Sequence, residues 1–223
     1  FSILDNSFCE PQTNSVNIDK QGSNIKSDLI GLIEIKNKFP NNPMIRYLNV
    51  NSLRNKISDL REILFNASID ILCVDETKLD CSFPKSQFCI DGYNFPPYRR
   101  DRNNYGDGKI IYIKEGTISK RLNQLEGTNM ESICIELTIS NTRWCVLFIY
   151  QPPNNNKDTF FIELDFLMSE ITLKYENFMI ISDLNINATV ISANKKNYLV
   201  ELCNTFCLTN IIKEKKCFKS ISG

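Results

Sequence analysis

The sequence lacks histidine and has no Cys-x-x-Cys pair, two absences that argue against a structural zinc site. Its nine cysteines are an odd number and are scattered along the chain. Cys73 and Cys145 lie within apolar runs, where buried free thiols are common. We therefore expect free thiols and a reducing, intracellular compartment rather than a disulfide-stabilised secreted fold.

Long apolar runs and an excess of charge are also missing. No apolar run approaches the roughly 18 to 20 residues that cross a membrane, and the first residues lack the basic and apolar regions of a signal peptide. We expect no membrane partner. Lys plus Arg number 26 and Asp plus Glu number 26, so the net charge is zero. A protein that binds nucleic acid over its whole surface is usually basic, so any such binding must come from a local patch.

The 223 residues divide into a polar segment and a patterned one. Residues 1–43 are rich in Asn, Ser, Asp and Lys, with one weakly amphipathic stretch at 27–39, and we interpret them as a leader or linker; a disordered tail is the alternative. Residues 44–223 have the length and apolar content of a domain with its own core. Because the chain begins at Phe1, we expect it to be a piece of a longer translated product.

From Met44 onward, segments with the apolar pattern of strands alternate with segments that have the apolar period of helices. Apolar runs predict strands at 44–51, 69–77, 108–115 and 178–185, and a hairpin formed by 131–139 and 143–151. Helical periodicity predicts helices at 52–66, 157–175 and 195–212, the first with Ser52 as its N-cap. This alternation predicts a mixed α and β domain in which helices cover sheets.

Polar side chains follow four of the predicted strands where each strand ends. They are Asn49 and Asn51, Asp75 and Glu76, Tyr150, and Asp183 with Asn185. A carboxylate at the edge of a core is costly unless it is paired, hydrated or bound to a metal. Oxygen ligands of this kind suit Mg²⁺ or Mn²⁺, which would stabilise the charge that develops in phosphodiester hydrolysis. A polar residue at any one strand end is also explained as a cap of that strand. The recurrence of polar residues at four strand ends favours a functional site.

Five segments, in this order, resemble a known family. They are "LNVNSLRNK", "VDETKLD", "YRRDRNNYGDGKIIYI", "IYQPPN" and "ISDLNIN". Together they resemble the endonuclease/exonuclease/phosphatase superfamily, and within it the apurinic-like endonuclease domain of non-LTR retrotransposons. The resemblance runs from about residue 45 to the C-terminus. It implies an α+β fold, a four-layer α/β/β/α sandwich with two packed mixed β-sheets and the active site at one sheet edge. The last strands of that fold are expected to be missing.

The resemblance assigns a metal side to the site. Glu76, in "DETK", matches the principal metal-ligand glutamate, and Asn49 matches the asparagine beside the metal. The implied cofactor is Mg²⁺ or Mn²⁺. Asn51 stands where many members of the family have aspartate.

The phosphate side comes from the later motifs. Tyr150 matches the tyrosine that contacts the scissile phosphate, and Asn154 lies near the family's phosphate-side asparagine. Asp183 matches the aspartate that orients or deprotonates the attacking water, and Asn185 the asparagine that holds the phosphate. In this chain "SDLN" replaces the usual Gly-Asp-Phe-Asn, which keeps both functional side chains.

A basic segment precedes the third predicted strand. Arg99, Arg100 and Arg102 lie beside Tyr98 and could contact DNA phosphates without reading sequence. The alternative is a solvated loop in which Asp101 is paired internally.

Two hypotheses follow from the resemblance. The first is a Mg²⁺-dependent, DNA-nicking endonuclease of a retroelement, nuclear, with a reverse transcriptase downstream in the parent polyprotein. The second is a truncated, non-catalytic remnant, since the family's Ser-Asp-His segment has no counterpart in a chain without histidine. A phosphatase of the same superfamily is a more distant alternative, and the loop "RRDRNNYGDG" argues against it.

Overall fold

The computed structural model describes residues 2–5, 23–102, 108–151, 156–183 and 198–211. The α-helices in this part of the chain are α1 (Ser23–Lys38), α2 (Ile57–Ala67), α3 (Lys157–Thr172) and α4 (Tyr198–Thr205). One sheet contains β2 (Ile45–Asn49), β3 (Ile71–Asp75), β4 (Tyr98–Arg100) and β5 (Lys109–Ile113). The other contains β1 (Ser2–Asp5), β6 (Ser119–Arg121), β7 (Glu131–Ile139), β8 (Thr142–Tyr150), β9 (Asn177–Asp183) and β10 (Thr209–Asn210).

Both sheets are mixed. The four-stranded sheet has the order β2-β3-β5-β4, with β2 and β3 parallel and the other pairs antiparallel. The six-stranded sheet has the order β10-β1-β9-β8-β7-β6, with β8 and β9 parallel and its other pairs antiparallel. Each parallel pair therefore brings two strand C-termini to the same sheet edge.

The predicted hairpin is confirmed as β7 and β8. Its two-residue turn consists of Ser140 and Asn141, whose φ angles are 48° and 64°. Two positive φ angles are the mark of the turn type that matches the twist of antiparallel strands. The turn fixes the register in which Glu131 lies opposite Tyr150.

Three layers of apolar side chains hold the sheets and helices together. Between the sheets, alternate residues of both meet, among them Tyr47, Cys73 and Ile111 from one and Ile133, Phe148 and Ile181 from the other. A second core packs α1 and α2 on the four-stranded sheet, and a third packs α3 and α4 on the six-stranded sheet. The result is the four-layer α/β/β/α sandwich that the resemblance implies.

Helix α3 shows how a local pattern produces the outer layer. Phe160, Leu164 and Met168 recur every fourth residue and are buried against the sheet. Asn156 caps the helix, because its side-chain oxygen accepts hydrogen bonds from the backbone N–H groups of Asp158 and Thr159 at 2.9 and 3.3 Å.

Parts of the N-terminal segment are built into the sandwich. Strand Ser2–Asp5 pairs with β9 on one side and β10 on the other, and Leu32 of α1 is buried in the core below the four-stranded sheet. These two parts pack against the elements that follow residue 43. The domain boundary at residue 43 stays a prediction.

The prediction of Ser52 as an N-cap is wrong. Helix α2 begins at Ile57, and no side chain caps it. Ser52 has a φ of 92° and donates its backbone N–H to the carbonyl of Glu76 at 2.7 Å. The segment after β2 is therefore a loop bound to the loop after β3. Across the described ranges, no helix has the length and hydropathy to cross a bilayer.

Two phenylalanines of α3 test this packing. Phe160 is 1% exposed and Phe166 is 64% exposed. We expect Phe160→Ala to lower the free energy of unfolding by about 3–5 kcal/mol, because it leaves a cavity between helix and sheet. Phe166→Ala, the matched control, should change it by less than about 0.5 kcal/mol. Denaturant unfolding measures both, and equal losses would contradict the orientation of α3.

Candidate active site

Two rows of polar residues face each other at one end of the sandwich. In the four-stranded sheet, neighbouring register positions hold Asn49, Asp75, Lys109 and Arg100. In the six-stranded sheet, they hold Glu131, Tyr150 and Asp183. The rows meet, because Lys109 Nζ lies 5.2 Å from the centroid of the Tyr150 ring. The fold thus brings the predicted metal side and the predicted phosphate side to the same edge.

Glu76 is the first residue beyond β3, and its backbone is held in an unusual conformation. Its φ is 52°, in the left-handed region that non-glycine residues seldom adopt. Its N–H donates to Asp75 Oδ1 at 2.9 Å, and its carbonyl accepts the Ser52 N–H at 2.7 Å. Strained backbone of this kind persists only where its surroundings hold it, and it is concentrated at functional sites.

The carboxylate of Glu76 is oriented by a chain of amides. Asn49 Nδ2 donates to Glu76 Oε1 at 2.7 Å, and Asn49 Oδ1 accepts the Asn51 N–H at 3.1 Å. The ammonium group of Lys78 donates to Asn51 Oδ1. Asn51 and Lys78 also have positive φ angles, 43° and 51°. The loops after β2 and β3 therefore form one strained unit around Glu76.

This donor set fits a hard divalent cation. Glu76 is half-buried, and within the described residues Asn49 is the one hydrogen-bonding partner of its carboxylate, with no ion pair. The described residues contain no group of three or more Cys, Asp or Glu side chains placed to bind a metal. Mg²⁺ commonly binds through one or two carboxylates and keeps several waters. A single carboxylate with a neighbouring amide oxygen is consistent with that mode.

A buried ion pair joins Lys109 to Asp75, the residue before Glu76 in the chain. Lys109 Nζ is 2.9 Å from Asp75 Oδ1, and both side chains are fully buried. The Tyr47 hydroxyl donates to Asp75 Oδ2 at 3.3 Å. Burial raises the pKa of Asp75 to about 6, with Lys109 opposing the rise, and burial lowers the pKa of Lys109, with Asp75 opposing the fall. Lys109 was not among the site residues predicted from the sequence; the signal was a lysine at the start of an apolar strand.

Tyr150 and Glu131 lie opposite each other in the six-stranded sheet, which faces the sheet that holds this ion pair. Tyr150 is 4% exposed, at the end of β8. Glu131 Oε2 accepts the Gly108 N–H at 3.2 Å, and its Oε1 lies 3.1 Å from Arg102 Nη1. Gly108 has a φ of 73°, and a Cβ there would lie 2.7 Å from Thr77 Oγ1, so this close approach requires glycine.

Arg99 binds the protein itself. Its guanidinium donates to the backbone carbonyls of Asp80 and Phe83 at 2.6 and 2.9 Å and pairs with Asp101. Its side chain is 6% exposed. This is the internal pairing of Asp101 that the sequence left open as the alternative to DNA contact.

Arg100 also binds the protein itself, whereas the side chain of Arg102 is more exposed to solvent. Arg100 donates to the carbonyls of Ser132 and Gly127 at 2.9 and 3.0 Å, and so ties β4 to the other sheet. The Arg102 side chain is 43% exposed and pairs with Glu131. Among the three arginines, Arg102 has the most exposed side chain.

The remaining predicted residues are described in part or not at all. The backbone of Asp183 pairs in register with Tyr150. Asn154 and Asn185 lie outside the described residues. Their assigned roles stay predictions.

Comparison with solved structures shows the fold. No protein-family model and no curated protein matches the sequence. The endonuclease domain of TRAS1, a telomere-specific non-LTR retrotransposon, matches with a TM-score of 0.54 and 10% identity, over 74% of this chain and 70% of that one. An AP endonuclease from Archaeoglobus fulgidus matches with a TM-score of 0.49 and 21% identity, over 67% and 60% of the two chains. The 3′-5′ exonuclease NExo from Neisseria meningitidis matches with a TM-score of 0.48 and 25% identity, over 64% of this chain and 57% of that one.

These values limit what the likeness can establish. Of the three, the TRAS1 domain alone exceeds a TM-score of 0.5, and its 10% identity shows a shared fold and no more. This chain spans 57% to 70% of the lengths of the three structures.

The buried pair generates a stability prediction. Lys109→Met leaves the Asp75 carboxylate buried without its cation, and we expect a loss of about 3–5 kcal/mol in the free energy of unfolding. The double variant Lys109→Met/Asp75→Asn should lose less, because neither charge remains and the Asn oxygen can still accept hydrogen bonds. Denaturant unfolding measures both.

A surface lysine provides the control. Lys114 Nζ lies 3.7 Å from Asp70 Oδ1 and its side chain is 46% exposed, so Lys114→Met should cost no more than about 1 kcal/mol. If the single and double variants at the buried pair lost equal stability, the Asp75 charge left without its cation would not be the cause of the loss in Lys109→Met.

Proposed function

We propose, on the premise that this chain has the fold of the endonuclease/exonuclease/phosphatase superfamily, that it hydrolyses phosphodiester bonds of DNA with the help of Mg²⁺ or Mn²⁺. The finer form of the proposal is nicking of duplex DNA by a retrotransposon-type endonuclease domain. One observation carries it. The half-buried Glu76 carboxylate, with no cation partner in the described residues, lies at the sheet edge that also holds Tyr150.

The metal side consists of Glu76 and Asn49. Glu76 would hold the divalent ion, and the Asn49 amide, 2.7 Å from Glu76 Oε1, keeps the carboxylate in one orientation. When bound, the ion supplies positive charge to the phosphate oxygens as negative charge develops on them. The positive φ of Glu76 is consistent with a residue held in place before substrate arrives.

The phosphate side consists of Tyr150, Asp183, Asn185 and Asn154. Tyr150 would donate its hydroxyl to a phosphate oxygen, and Asn185 and Asn154 would hold the other oxygens. Asp183 would orient the attacking water and accept its proton. These roles come from the resemblance, and the backbone pairing of Asp183 with Tyr150 supports the shared location of the two residues.

DNA as the substrate is supported by the fold of the TRAS1 endonuclease domain and by the exposed side chain of Arg102. The zero net charge limits such contact to a local patch. A nuclear location and a reverse transcriptase downstream belong to the retrotransposon part of the proposal, and they rest on the resemblance.

One observation favours a second candidate, a non-catalytic remnant. The resemblance implies a histidine on the scissile phosphate, and this chain has none. The loss of an acid–base group typically costs about 10²- to 10⁴-fold in rate. Such a remnant would keep the fold and cation binding at Glu76 without turnover.

The first test is the nicking of supercoiled plasmid DNA by the folded chain, with Mg²⁺ and with chelator. We expect Mg²⁺-dependent nicking that falls by at least about 100-fold in Glu76→Gln, because a preorganised electrostatic group is lost. Glu62→Gln, an exposed glutamate of α2, is the control and should nick like the wild type.

The outcomes separate the two candidates. No nicking by the folded chain, together with Mn²⁺ binding that Glu76→Gln abolishes, would select the remnant. Nicking that survives Glu76→Gln would contradict the assignment of Glu76 as the metal ligand.

Arg102 generates a prediction about DNA binding. Replacing Arg102 with Gln should weaken binding uniformly across DNA sequences and reduce the slope of log K against log salt by about one. Lys174→Gln is the matched control, since Lys174 is an exposed cation beyond α3. Binding titrations at several salt concentrations measure this, and an unchanged slope in Arg102→Gln would remove Arg102 from the interface.

A further inference from the structure

Lys109 lies between the two halves of the candidate active site, and the proposed reaction does not use it. Its Nζ is 2.9 Å from Asp75 Oδ1, next to Glu76 in the chain. The same atom lies 4.0 Å from the centroid of the Phe148 ring and 5.2 Å from that of Tyr150. The side chain is fully buried, so in this conformation it cannot touch a substrate.

We propose that Lys109 is a positioning residue of this site: its buried ammonium group fixes both the turn that presents Glu76 and the ring of Tyr150 beside it. The inference rests on the proposed function, because it concerns the placement of the two residues to which that function assigns the metal and the phosphate.

The link to Glu76 passes through one oxygen atom. Asp75 Oδ1 accepts hydrogen bonds from both Lys109 Nζ and the Glu76 N–H, each at 2.9 Å. The second oxygen, Oδ2, accepts the Tyr47 hydroxyl at 3.3 Å. A carboxylate held at both oxygens cannot rotate, so it fixes the N–H of a residue whose φ of 52° is unfavourable. Without the ammonium group, this turn is free to relax and the Glu76 carboxylate to move.

The link to Tyr150 is a cation–π contact. Phe148 and Tyr150 are two residues apart on β8, so their side chains lie on the same face of the sheet. An ammonium group within about 6 Å of an aromatic centroid is attracted to the ring face, more strongly where water is excluded. Lys109 meets both rings in a fully buried position. It therefore restrains the Tyr150 ring relative to Asp75, and through Asp75 relative to Glu76.

The rival explanation is an ion pair that stabilises the fold and does nothing for the site. The two explanations differ in the properties of the folded molecules. A purely structural pair changes the unfolding equilibrium alone. A positioning pair also changes how the folded site binds a cation and how fast it turns over.

The experiment compares four proteins under conditions where each is folded. They are the wild type, Lys109→Met, Lys109→Met/Asp75→Asn, and Ile171→Ala. The double variant leaves no unpaired charge and so serves if Lys109→Met does not fold. Ile171 is 1% exposed in the core between α3 and the six-stranded sheet, so Ile171→Ala is destabilised away from the site.

Three quantities are measured on each protein. Electron paramagnetic resonance of free Mn²⁺ gives the dissociation constant of Mn²⁺. Amide hydrogen exchange reports the protection of the Glu76 N–H. Plasmid nicking gives kcat and KM separately. The first two do not depend on turnover.

We expect both Lys109 variants to weaken Mn²⁺ binding and lower kcat by about 10- to 100-fold, the usual effect of removing support from a metal ligand. KM for DNA should stay unchanged, Glu76 should lose protection, and Ile171→Ala should match the wild type in all three. Wild-type values in the double variant would overturn the positioning role and leave the proposed function intact. If the wild type neither nicks nor binds Mn²⁺ in a way that Glu76→Gln abolishes, the proposed function and the positioning role both fail.

Discussion

The ion pair between Asp75 and Lys109 is the interaction on which the edge with the candidate active site depends. Both charges are buried completely, and a buried charge is tolerated only with a partner and satisfied hydrogen bonds. Their 2.9 Å contact joins β3 to β5, and the ammonium group reaches the Phe148 ring of the other sheet at 4.0 Å. A hydrogen-bonded ion pair of this kind is specific in geometry, so it fixes the two side chains relative to each other.

The strained backbone and the apolar cores that stabilise the fold lie in different parts of the molecule. The loops after β2 and β3 contain Asn51, Ser52, Glu76 and Lys78, all with positive φ angles. Backbone hydrogen bonds between the loops, such as Leu53 N–H to the Thr77 carbonyl at 2.9 Å, hold them in that form. Three apolar cores supply the stability that allows such strain. The parallel pairs β2–β3 and β8–β9 then deliver two pairs of strand ends to one edge.

Several elements could be predicted because their causes are local. The alternation in 131–139 and 143–151 gave the hairpin, and the four-residue period of Phe160, Leu164 and Met168 gave α3.

The prediction of Ser52 as an N-cap failed because its N–H binds Glu76, a partner 24 residues away. Strands β4 and β6, of three residues each, carry too little pattern to be recognised, and β1 pairs with strands from the far end of the chain. For Arg99 and Arg100 the sequence left DNA contact and internal pairing of the segment as alternatives, and in the structure both bind backbone carbonyls of the protein itself.

The sequence alone determined that polar residues follow buried strands at Asn49, Glu76, Tyr150 and Asp183, because strand periodicity and its interruption are properties of neighbouring residues. The resemblance that the motifs carry also implied the sandwich, which the structure confirms. Only the tertiary structure decided which strand ends meet, that a lysine lies between them, and which arginines remain exposed. Those outcomes depend on contacts such as Lys109 with Asp75 and Tyr150, which are 34 and 41 positions away in the chain. Contacts at such separations have no local pattern, because the first arises only when β3 and β5 pair within one sheet and the second only when the two sheets pack face to face.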